Sequence, residues 1–177
     1  MTVRATGTID DHTPFVAIVD DDPAVREALD SLFRSVGLRT RLFGAPGELA
    51  EARWPDGPGC IVLDVQLPDT VVPDLFDRLS KAGSCLPVIC LAGESDVRTG
   101  VKAIKAGAED FFTKPVASEE LIVAIDRAIA RHRLASEQEG WSRAARQRLG
   151  LLTRREREVF DLVIRGRLNK QVAFALG

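Results

Sequence analysis

The stretch FVAIVDDDPAVREAL, residues 15–29, decides the fold. Five apolar residues run without a polar break, three acids follow, and Pro23 opens a segment with helical spacing. An apolar run lacking polar alternation is the signature of a strand covered by helices on both faces. The same order recurs down the chain. CIVLD (60–64), PVICLA (87–92) and DFF (110–112) are short apolar runs with helical patterns between them, while LRTRLF (38–43) alternates and suits a half-exposed strand. Helices are read at 23–36, ended by Gly37; at 46–54, with Pro46 near the start; at 73–82, opened by Pro73; at 96–106, with Asp96 as N-cap and Gly107 as stop; and from 119 on, behind Ser118, Glu119 and Glu120. Strands alternating with helices make an α/β domain of five βα units, a doubly wound five-stranded parallel sheet.

The last of these helices keeps going. Leu121, Ile122, Ile125, Ile129 and Leu134 recur at helical spacing, and the pattern fades into RLASEQEGWSRAARQRLG. Beyond it, Thr153 stands three residues before Glu156 as a capping box, with Val159, Phe160, Leu162 and Val163 behind and Gly166 as stop. A further short helix starts at Asn169. The organisation read from these patterns is a domain over 14–130, a linker over 131–150 that is helical for much of its length, and a separate helical segment over 151–177.

Of the 177 residues, 45% are hydrophobic and 28% charged, a balance that excludes disorder and collagen. The longest apolar stretch, CLPVICLAG, is about half the ~20 residues needed to cross a bilayer. The start, MTVRATGTIDDHTP, carries acids where a signal peptide would carry an apolar run, so a cytoplasmic protein without membrane contact is expected. Cys60, Cys85 and Cys90 are odd in number and form no C-x-x-C pair, which argues against a disulfide or thiolate metal site. Residues 1–140 hold 15 Lys/Arg against 23 Asp/Glu, a net of −8, and residues 141–177 hold 9 against 3, a net of +6. An acidic body fits a cation or basic partner, and a basic tail fits a polyanion such as nucleic acid. A solvated Arg-rich helix is the plainer reading of the tail.

In a parallel α/β sheet the functional groups gather outside the carboxyl ends of the strands. Asp20 and Asp21 follow the first strand, Asp64 ends the third, and Lys114 lies just after the fifth. If strands one, three and five are neighbours, three carboxylates converge. Like charges held that closely call for a cation, and a few hard oxygen ligands suit Mg²⁺. One carboxylate could then attack phosphorus, with the lysine neutralising the transferring phosphoryl group.

FVAIVDDDPAVREAL, CIVLDVQLPD (60–69), AIKAGAEDFFTKP (103–115) and LTRREREVFDLVIRGRLNKQVAFALG (152–177) together resemble a two-component response regulator of the FixJ type. The resemblance implies a flavodoxin-like receiver domain, a linker, and the start of a LuxR-like helix-turn-helix domain. It implies Asp64 as phospho-acceptor; Asp20 and Asp21 as metal-site acids, Asp21 the more direct ligand; and the carbonyl of Gln66 as a third protein ligand to Mg²⁺. Lys114, with a cis bond to Pro115, would contact the phosphoryl group, and Phe111 stands where the family keeps its aromatic switch. Val101 and Lys105 match positions of a phosphorylation-dependent dimer face. Taken singly, Asp20–Asp22 is a solvated turn, Phe111 a core residue, and Trp54 and Trp141 packing or surface residues.

The sequence departs from that pattern in three places. Ala92 stands where the family has a Ser or Thr whose hydroxyl reaches the phosphoryl oxygen, leaving Gly93 with its backbone N–H beside it. Val72 replaces a common glycine, so a different path is expected for the loop after the acceptor strand. The helix-turn-helix segment stops at Gly177, before a recognition helix. Its 27 residues are fewer than the ~40 that normally fold unaided, so the segment is expected to be mobile or covered. Arg154, Arg155, Arg167 and Lys170 could contact a DNA backbone weakly, with base reading only where the missing helix is supplied. The resemblance implies a signalling module rather than an enzyme, with a histidine kinase as partner. Two other readings stand beside it. One is a receiver acting through protein contacts or as a phosphate sink. The other is a haloacid-dehalogenase-like phosphohydrolase, in which Asp20 of the D-x-D pair would be the nucleophile.

Overall fold

The computed structural model describes residues 13–55, 57–68, 72–82, 84–93 and 97–176. Its strands are β1 (Phe15–Val19), β2 (Arg39–Phe43), β3 (Gly59–Asp64), β4 (Val88–Gly93) and β5 (Asp110–Lys114). The helices between and after them are α1 (Pro23–Ser35), α2 (Gly47–Glu51), α3 (Val72–Lys81), α4 (Val97–Ala106), α5 (Ser118–Gly150), α6 (Arg154–Ile164) and α7 (Asn169–Leu176). The strands form one parallel sheet in the order β2-β1-β3-β4-β5.

Alternation along the buried strands divides the core into two layers. Ala17, Val19, Ile61, Leu63 and Cys90 face one side and pack with Leu49 of α2, Leu75 and Leu79 of α3, and Ala103 of α4. Val16, Ile18, Cys60, Val62, Ile89 and Leu91 face the other, with Phe33 of α1 and Leu121, Ala124, Ile125, Ala128 and Ile129 of α5. Every residue of β1 and β3 is buried, as expected for strands with helices on both faces. At the sheet edge, β2 is mostly half-buried and exposes Leu42. Trp54 closes that edge by stacking on Phe15, with ring centroids 6.1 Å apart, and by lying across Phe43. Trp141 is 78% exposed.

Several sequence expectations are corrected. β5 does not adjoin β3, because β4 lies between them. Lys114 ends β5 rather than following it. α2 is only five residues long and ends at Glu51, where the chain turns extended at Ala52, and Pro46 is its N-cap. α3 begins one residue before Pro73. The stretch 131–150 is helical throughout, as the continuation of the 33-residue α5. Ala, Glu, Gln, Arg and Leu dominate there and are strong helix formers, so helix persists after the apolar stripe has ended; Gly140 in its interior costs only about 1 kcal/mol. The N-cap assigned to Asp96, the loop at 69–71 before Val72, and Gly177 lie outside the described residues. Gly37, Gly107 and Gly166 take positive φ at the ends of α1, α4 and α6, the conformation that lets a helix stop there.

The chain divides into two compact units, Met1–Ala135 and Ser136–Gly177. In the second, α6 starts at the capping box: the Thr153 N–H donates to Glu156 Oε2 (2.8 Å) and the Glu156 N–H to Thr153 Oγ1 (3.3 Å). Val172 of α7 is buried, while Val163, Ile164, Leu168 and Phe174 are exposed. Among the described residues no helix is long and apolar enough to cross a membrane.

Candidate functional site

The order β2-β1-β3 reverses direction beside β1, and a crevice opens outside the carboxyl ends of β1 and β3. Pairing sets Val19 opposite Leu63, so the residues that follow, Asp20 and Asp64, stand side by side at its floor. They are also the two buried charged residues among those described, at 2% and 6% exposure. Each is locally held. Asp20 Oδ1 accepts from the Asp22 N–H (2.9 Å), and the Asp20 carbonyl accepts from Arg26 Nη1 of α1. Asp64 Oδ1 accepts from the Gln66 N–H (2.9 Å). Asp21 is exposed at the rim, and one carboxylate oxygen from each of Asp20, Asp21 and Asp64 falls within 4.8 Å of the others. Asp22 faces elsewhere: its Oδ1 accepts from the Ala24 N–H (2.8 Å) and caps α1.

Lys114 reaches this floor from β5. Its Nζ lies 2.8 Å from Asp20 Oδ2 and 2.8 Å from Asp64 Oδ2. Between β5 and β3, β4 ends in Ala92 and Gly93, and Gly93 pairs with Lys114 itself. The Lys114–Pro115 bond is cis. Burial acts to lower the Lys114 pKa, but the hydrogen bonds and charges of Asp20 and Asp64 outweigh it, and the net shift is upward. The ammonium therefore stays charged.

Three carboxylates against one ammonium leave two negative charges, which a divalent cation balances. The donor set is all oxygen, and Asp21 opens the site to water, as suits a small hard ion that keeps much of its hydration. Asp20, Asp21 and Asp64 thus fit Mg²⁺. The Gln66 N–H bond to Asp64 keeps the Gln66 backbone beside the same site.

The family model described as "Response regulator receiver domain" matches residues 16–126. The chain belongs to the response regulators. The chain is 40% identical over 171 residues to the response regulator protein TodT of Pseudomonas putida, covering 94% of this chain and 73% of that one. It is 35% identical to the transcriptional regulatory protein FixJ of Azorhizobium caulinodans, with 92% and 77% covered. Among solved structures, that of response regulator StyR aligns with a TM-score of 0.82 and 34% identity, over 93% of this chain and 83% of that one.

Within the receiver, the other residues singled out by the sequence fall into separate places. Ala92 is buried, and Gly93 is half-buried at the mouth of the crevice. Phe111 is half-buried against the α2–α4 layer, and its ring lies so close to α4 that a methyl at Gly100 would stand 2.5 Å from it. On α4, Val101 is 53% exposed, with Lys105 exposed one turn away. In the second unit, Arg154 and Arg155 both pair with Glu158, and Arg155 also donates to the Leu176 carbonyl. Arg167 and Lys170 line a surface groove with Leu162 and Phe174. Sequence reading missed the side chain of Gln66, whose amide packs against Gly93. A glutamine two residues beyond an acid carries no sequence signal; only the strand register shows what it faces.

Proposed function

We propose that this response regulator accepts a phosphoryl group from a histidine kinase on Asp64, in a Mg²⁺-dependent reaction. The observation that carries the reading is the bridge from Lys114 Nζ to Asp20 and Asp64. It gathers a nucleophilic carboxylate, a fixed positive charge and two further acids at one strand-end crevice. As a carboxylate oxygen of Asp64 bonds to phosphorus, the bond from phosphorus to the donor imidazole breaks, and charge on the three phosphoryl oxygens meets the Lys114 ammonium. When bound by Asp20, Asp21 and Asp64, with the Gln66 carbonyl, Mg²⁺ supplies further neutralisation of that charge. Asp22 is committed to capping α1, so the acid pair of the phosphohydrolase reading is not gathered at the crevice. The chain acts as a switch rather than an enzyme with a substrate of its own.

The output reading rests on relatives. TdiR of Thauera aromatica and FixJ carry the name transcriptional regulatory protein, and the basic α6–α7 segment suits a DNA backbone. We place the protein in the cytoplasm, with phosphorylation favouring a homodimer through the α4 face around Val101 and Lys105, an apolar residue ringed by Arg98, Lys102 and Lys105. Base reading requires a recognition helix, and weak salt-sensitive attraction through Arg154, Arg155, Arg167 and Lys170 is the contribution of the described residues.

The test is incubation with acetyl phosphate and Mg²⁺, followed by electrophoresis in a phosphate-retarding gel. Wild type should shift, and Asp64→Asn should not. An equal shift of both removes Asp64 as acceptor.

A further inference from the structure

Once a phosphoryl group sits on Asp64, its oxygens on the β4 side meet Ala92 and Gly93, neither of which has a polar side chain. Strand pairing sets Asp64 opposite Leu91, and the Val65 N–H donates to the Leu91 carbonyl (2.9 Å). Continuing that register brings Gln66 alongside Gly93. The side chain is there: a methyl on Gly93 would stand 2.7 Å from Gln66 Nε2 and 3.1 Å from Oε1. The carboxamide thus lies directly on the glycine, on the strand neighbouring the acceptor, while the backbone N–H of the same residue holds Asp64 Oδ1. The Gln66 side chain is exposed to solvent at this seat.

We propose that the Gln66 carboxamide is a phosphoryl-binding group: seated on Gly93, it donates an N–H to a phosphoryl oxygen on Asp64, on the side of the site where Ala92 offers no side-chain donor. The inference rests on Asp64 as acceptor. Lys114 approaches from β5 and Gln66 from the turn after β3, so the two donors serve different oxygens. Glycine at 93 is what gives the amide its seat. Its φ is not positive, so Gly93→Ala keeps the backbone and its N–H and moves only the flexible end of Gln66.

The experiment is a ¹⁹F NMR titration with beryllofluoride in excess Mg²⁺. It compares wild type, Gln66→Met, which keeps the length and removes the donor, Gly93→Ala, the double variant and Asp64→Asn. A hydrogen bond to a charged acceptor is worth enough to weaken binding by about tenfold or more when lost. Gln66→Met and Gly93→Ala should each show that loss, and the double variant no more than either, because both remove one contact. Thermal unfolding should match wild type, since the Gln66 side chain is exposed. If wild type binds, Asp64→Asn does not, and both single variants stay within about twofold of wild type, the Gln66 contact is wrong and the acceptor stands. If wild type binds no beryllofluoride, or Asp64→Asn binds equally, both fall.

Discussion

Lys114 and Asp64 stand on strands that do not pair, yet Lys114 Nζ lies 2.8 Å from Asp64 Oδ2. The lysine reaches past the end of β4, whose Gly93 pairs with it, and is held at its far end by Asp20 as well. The bridge from Lys114 to both buried acids thus makes the crevice one electrostatic unit.

Removing this ammonium leaves two buried carboxylates side by side. Lys114→Ala is therefore expected to lower stability by about 2 kcal/mol in EDTA, below the cost typical of breaking a fully buried pair because the lysine is partly exposed. Added Mg²⁺ should recover part of the loss. Thermal unfolding with and without Mg²⁺ checks this, and a Tm insensitive to the substitution in EDTA would mean the carboxylates do not repel.

Asp21 is the exposed member of the acid cluster. Its removal should leave the fold intact and weaken Mg²⁺ binding by about tenfold or more, as loss of a charged oxygen ligand does. Calorimetric titration of Asp21→Ala against wild type reads the ratio. Equal affinities would take Asp21 out of the ligand set.

Phe111 owes its position to Gly100. A side chain at residue 100 would meet the ring at 2.5 Å, and aromatic ring and helix backbone cannot both keep their places. Gly100→Ala should turn Phe111 outward and cost roughly 1–3 kcal/mol, the usual range for overpacking. A crystal structure or fluorine label at Phe111 shows the displacement; an unmoved ring would mean that α4 shifts instead.

The three thiols should differ sharply in reactivity. Burial, helped by the charge of Asp126, pushes the Cys60 thiol up to about 12, and burial pushes Cys90 up to about 12. Thiolate is the reactive form, so both stay inert at neutral pH. Exposed Cys85 should be the residue alkylated by iodoacetamide in the native state. Peptide mass mapping after brief labelling decides it, and early modification of Cys60 would point to opening of the sheet.

Strands and acids were legible because their signals are local. FVAIVDDD declares a buried strand and the acids at its end in eight residues, and CIVLD does the same for Asp64. Which strands adjoin is a long-range property. Nothing in DFFTKP says that β4 intervenes between β5 and β3, or that Lys114 must reach across Gly93. The seat of Gln66 was hidden for the same reason, since it depends on β3–β4 register. Past Leu134 the sequence reads as helical for much of 131–150 and α5 runs on to Gly150; the apolar periodicity fades there because it reports packing, while the helix continues on propensity.

Of the two buried acids, Asp64 is the proposed phosphoryl acceptor. Borohydride trapping after acetyl phosphate and Mg²⁺ converts an acyl phosphate to homoserine at the residue that carried it, and tandem mass spectrometry locates that residue. Conversion confined to Asp64 is predicted. Conversion at Asp20, with Asp64 unchanged, would contradict the account.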